Sequence, residues 1–153
     1  MNFDDFVRKY IWDDEKTPYF KRVRKLTKSQ ADNEIMIYAV FVGGIFLIME
    51  LISASEWSKG GELNTGIIAF FSALMFGAAI VLWRRKDVRA AWICLAAPIG
   101  TAMNFLFDGM HGELGDVDRY LLIGFCLLWL RYGVRVISIC LRYDNMPQRT
   151  RLK

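Results

Sequence analysis

Apolar residues do not alternate with polar ones along this chain. They gather into four long runs, at 35–54, 65–83, 89–107 and 120–141, with charge confined largely to the ends and to three short connectors. Each run is close to the ~20 residues that carry an α-helix across a hydrocarbon core of about 30 Å. The pattern predicts an all-α integral membrane protein with four transmembrane helices. The third run contains Pro98, which removes a backbone donor and predicts a bend that neighbouring helices must accommodate. The connector RRKDVR at 84–89 is short enough to force the second and third helices into an antiparallel hairpin.

A different period precedes the first run. Phe3, Phe6, Val7, Tyr10 and Ile11 recur at i, i+3, i+4, i+7 and i+8, one apolar stripe on a helix. With Arg8 and Lys9 beside it, the stripe predicts an amphipathic arm that lies in the membrane interface or docks on a partner. Pro18 and the acidic run of WDDEKTPYF end that pattern, and Thr27 with Gln30 three residues later predicts a capping box that opens the first long helix. The expected organisation is a cytoplasmic arm at 1–33, a four-helix transmembrane domain at 34–142 and a cytoplasmic tail at 143–153.

Basic residues set the expected orientation, because short cytoplasmic segments keep Lys and Arg whereas translocated ones are depleted of them. The first 28 residues hold eight, the 84–89 connector four and the tail from Arg142 four, against one each, Lys59 and Arg119, in the other two connectors. Both termini are therefore expected in the cytoplasm, with 55–64 and 108–119 outside, in a bacterial-type inner (cytoplasmic) membrane. The charge-dense first thirty residues offer no apolar core for a cleavable signal peptide, so the first run is expected to serve as both signal and span.

Composition adds little beyond this. The 153 residues are 54% hydrophobic and 24% charged, and the net charge of +4 follows from topology without a nucleic-acid partner. Cys94, Cys126 and Cys140 all fall inside apolar runs, where cysteine behaves as a small hydrophobe, and no CxxC pair or Cys/His cluster points to a disulfide or thiolate metal site. Ala69, Ala73 and Gly77 on the second run, and Ala90, Cys94, Ala97 and Thr101 on the third, form stripes of small residues expected to close that hairpin.

The chemistry worth weighing lies in the charged residues within apolar sequence. Arg131, Arg135, Ser138 and Arg142 follow i, i+4, i+7 and i+11, a polar ladder on one face of the fourth helix. A guanidinium near the bilayer centre costs about 2.5–3.5 kcal/mol even on insertion scales, so Arg131 predicts an anionic partner. Glu50, on the first run, is the expected one. The outer loop DGMHGELGDVDR carries Asp108, His111 and Glu113, a weak candidate metal site that lacks the ligand order of an EF-hand or a zincin. No nucleotide-binding, nucleophile-elbow or triad motif occurs, so no catalytic residue is assigned and no enzyme is expected.

The expected function is that of a non-catalytic accessory or assembly subunit in a larger inner-membrane complex, with other integral membrane subunits and membrane lipid as partners. No cofactor is expected on this chain alone, although a lipid or pigment shared with a partner is compatible with the reading. Two rivals stand beside it: a small transporter or transporter subunit using Glu50 and Arg131, and a membrane enzyme using the outer acidic loop with a metal.

Overall fold

The computed structural model describes residues 22–60, 63–107 and 116–147, the side chains of 64, 104–107 and 116–119 excepted. Among the described residues the protein is all helical: α1 (Lys28–Ser58), α2 (Leu63–Arg85), α3 (Val88–Phe107) and α4 (Asp116–Cys140), with short 3-10 turns at Val23–Lys25 and Tyr143–Asn145. Three of them, α1, α2 and α4, are long and apolar enough to cross a membrane, and α3 carries a shorter apolar stretch at 88–103. The predicted amphipathic arm, Phe3, Phe6, Val7, Tyr10 and Ile11, lies outside the described residues, as do Asp108, His111 and Glu113.

The first helix starts where the sequence says it should. Thr27 Oγ1 accepts from the Gln30 N–H at 3.5 Å while Gln30 Oε1 accepts from the Thr27 N–H at 3.2 Å, a capping box that satisfies two backbone donors at once. At about 46 Å for 31 residues, α1 is much longer than the predicted 35–54, its first two turns being polar. Lys86 ends α2 in the left-handed region at φ 53°, its N–H still bonded to Leu82 O. Asp87 then caps α3 by accepting from the Arg89 N–H at 2.8 Å. The third helix continues through Pro98.

The most extensive interface is between α1 and α2, followed by α3 with α4, and then by α2 with α3. This corrects the expected closure of the α2–α3 hairpin through paired small stripes. Ala90, Cys94 and Ala97 are buried, but Ala73 and Gly77 face outward, and α2 buries Ser72, Met75, Ala78, Ala79 and Leu82 instead. Gly43 faces Ala79 where α1 and α2 meet, and a Cβ there would come into ordinary contact with the Ala79 Cβ at 3.4 Å. Aromatic rings join α1 to α4, with Phe41 and Trp129 centroids 5.2 Å apart and edge-on, and Tyr38 and Tyr132 centroids 5.7 Å apart. Cys94, Cys126 and Cys140 are buried free thiols.

Three basic segments meet at one end of the bundle. Asp32 on α1 accepts from the Tyr143 hydroxyl at 2.6 Å and lies 3.5 Å from Lys86 Nζ in the α2–α3 turn. The Lys28 N–H donates to Pro147 O at 3.1 Å, and its ammonium stands 5.3 Å from the Tyr143 ring centroid. The start of α1, the 84–89 connector and the chain after α4 are thus tied together.

Candidate functional site

The arginine ladder of α4 is divided by the structure into residues with opposite surroundings. Arg135 turns inward: its Nε and Nη2 each donate at 2.9 Å to the two oxygens of Glu34, a forked, two-bond ion pair. Glu34 is fully buried, whereas the Arg135 side chain keeps 20% of its surface exposed. Arg131, one turn earlier, is exposed on the outside of the bundle, among Leu127, Leu128 and Val134, which are exposed too. Ser138 bonds back to Val134 O at 3.0 Å, and Arg142 is exposed beyond the end of α4.

The expected pairing of Arg131 with Glu50 is therefore not made. Among the described residues Arg131 has no ion-pair partner, and one carboxylate oxygen of Glu50 is buried with no hydrogen bond at all. Depth explains the difference. Glu34 follows Lys28 by six residues and Arg135 precedes Cys140 by five, about 9 and 8 Å from helix ends that lie at the same side of the bundle. Glu50 follows Lys28 by 22 residues and Arg131 precedes Cys140 by nine, about 33 and 14 Å from that side. Reading outward from the basic segments would have found Glu34. Glu34 stands one position before the apolar run begins, so the run itself gives no sign of it.

The pair is held in place by packing. Tyr38, one turn after Glu34, is fully buried and donates to Cys94 O on α3 at 3.4 Å. Its ring leans on Tyr132, and its hydroxyl lies against Gly133, where a Cβ would come within 2.9 Å of the oxygen. Glu34, Tyr38, Tyr132, Gly133 and Arg135 thus fix the rotation of α1 against α4. That rotation leaves Arg131 pointing away from the bundle.

At the tied end, burial and the hydrogen bond to Asp32 push the Tyr143 phenol up to about 12 from an ordinary value of 10. A group whose pKa is raised on folding contributes stability that is complete below the unfolded value and is lost as pH rises through the folded one. Stability should thus fall between about pH 10 and 12, and Tyr143→Phe should flatten that fall. Thermal melts across this range, with tyrosinate absorbance as a second readout, test it. An unchanged slope in the variant would place the titration elsewhere.

Among the described residues no group of three His, Cys, Asp or Glu side chains is placed to hold a metal ion. No protein-family model matches the chain, and neither the curated proteins nor the solved structures yield a match to it.

Proposed function

We propose that the protein is a non-catalytic subunit of a larger membrane complex, held to its partner through the outward face of α4. The observation that carries this reading is Arg131. It is exposed on a face of large apolar side chains, eleven residues from Tyr120 and nine from Cys140, about 16 and 14 Å from either end of the apolar segment. In lipid such a charge is costly unless an anion faces it, and the chain's own nearest acid on the basic side, Glu34, is committed to Arg135. The anion then comes from another membrane protein, through an acidic side chain at matching depth.

The transport reading needs Glu50 and Arg131 on one pathway, and their separation along the bundle weighs against it. The finer topology belongs to this proposal also: four crossings, both termini on the basic side, in a bacterial-type inner membrane. The 20 residues of α3 reach about 30 Å, enough for the fourth crossing.

A photo-reactive residue at 131 should cross-link to an integral membrane protein, whereas one at Leu121, also exposed on α4, should not reach the same site. Arg131→Leu should release that partner from the purified complex without lowering the thermal stability of this chain, and Arg131→Lys should retain it in part. A complex that survives Arg131→Leu unchanged would reduce Arg131 to a side chain snorkelling to the interface.

Topology is checked separately. With the native cysteines replaced, cysteine at Asn64 or Gly112 should react with an impermeant maleimide in whole cells, and cysteine at Lys153 should be protected. Labelling at 64 with protection at 112 would show that α3 does not cross.

A further inference from the structure

Far from the arginine ladder, Glu50 lines an open cavity of about 550 Å³ between α1 and α2 near their connecting turn, and its Trp57, Ile67 and Phe70 walls are themselves exposed. The walls other than Glu50 are apolar or aromatic, and among the described residues no lysine, arginine or histidine lines the cavity. One carboxylate oxygen is buried and accepts no hydrogen bond. The Trp57 ring is seated on Gly66, where a Cβ would come within 2.7 Å of the ring, so the absence of a side chain on α2 gives the indole its place beside the cavity. Glu50 stands about 33 Å along α1 from Lys28, near the end of the bundle opposite the basic segments.

A carboxylate oxygen buried beside apolar side chains without a hydrogen bond is costly, and a ligand that supplies a donor or a positive charge there offsets that cost. Aromatic faces favour the positive charge, because the quadrupoles of Trp and Phe attract a cation placed over the ring. A lone inorganic cation would lack the several oxygens it requires, and the exposed aromatic and apolar side chains around Glu50 offer it nothing. An organic ammonium fits both requirements, its charge on Glu50 and its apolar substituents against Trp57, Ile67 and Phe70.

We propose that this cavity binds an organic ammonium cation carried on an apolar body. The shared chemistry admits two sources, a free hydrophobic amine or the headgroup of an aminophospholipid. The site is independent of the Arg131 interface, so the two readings fail separately.

Equilibrium dialysis of the purified protein in phosphatidylglycerol nanodiscs against benzyltributylammonium tests the proposal. Saturable binding is expected, weakened about tenfold or more by Glu50→Gln, the equivalent of roughly 1.4 kcal/mol. Trp57→Leu should weaken it several-fold, and Trp57→Phe should restore most of it. Unaltered thermal melting of Glu50→Gln establishes that the variant is folded. Competition by phosphatidylethanolamine added to the nanodiscs would assign the site to the lipid headgroup, and indifference to it would assign a free amine. Equal binding by wild type and Glu50→Gln, or equal binding of the neutral N,N-dibutylbenzamide at the same site, would overturn the proposal, as would no saturable binding to the wild type.

Discussion

Glu34→Leu and Arg135→Leu should each destabilise the bundle by about 3–5 kcal/mol, and the double variant should recover much of that loss. Each single change removes one member of the forked pair: Glu34 is fully buried, and Arg135 has only a fifth of its side chain exposed. Removing both charges removes the desolvation cost with the attraction, so the double variant is the informative one. Glu34→Gln should fall between wild type and Glu34→Leu, because an amide keeps one acceptor for the guanidinium. Reversible unfolding in detergent or bicelles measures the cycle. Additive losses would mean that the two hydrogen bonds of 2.9 Å contribute no coupling and that each residue matters only for its own packing. Arg131→Leu in the same assay is the contrast, since its side chain is exposed and its removal should leave the isolated chain as stable as before.

The second large effect is expected at Gly133. A Cβ there would meet the Leu95 terminal carbon at 2.6 Å and the Tyr38 oxygen at 2.9 Å, closer than real contacts allow. Leu95 is flexible and can swing aside. Tyr38 cannot do so without loss, being fully buried and bonded to Cys94 O. Gly133→Ala should therefore destabilise by about 1–3 kcal/mol, the usual cost of overpacking a filled interior. Gly124, on the same helix, has nothing within 4 Å of an added Cβ. Gly124→Ala should stabilise slightly, alanine being the better helix former by up to about 1 kcal/mol. Opposite signs at two glycines of one helix would place the α1–α3–α4 contact at Gly133. Equal effects would remove it.

Both effects arise at contacts between helices distant in sequence. The all-helical character of the described residues, the capping box at Thr27 and the burial of Cys94, Cys126 and Cys140 were legible, because each depends on local composition or on residues three positions apart. Helices that are apolar on every side are a different matter. Lipid tails and neighbouring helices are equally acceptable surroundings for Leu or Phe, so hydrophobicity carries no record of which face meets which neighbour. For that reason the small stripe Ala69, Ala73, Gly77 looked like an interface although Ala73 and Gly77 face outward, and the extensive contact of α1 with α2 left no sign in the run lengths. The polar ladder on α4 was legible as a spacing of four, seven and eleven residues. Which of its arginines faces inward depends on the rotation of α4 about its axis, set by Gly133 against Tyr38 and by Tyr132 against the same ring. Local sequence thus determined where the apolar helices lie and the cap that opens the first, though not the polar turns that carry α1 back from 35 to Lys28. Only the packed bundle decided that Arg135 meets Glu34, that Arg131 is exposed on the outside of the bundle, and that Glu50 lines a hollow of its own, because side chains distant in sequence must share space before their charges can be matched.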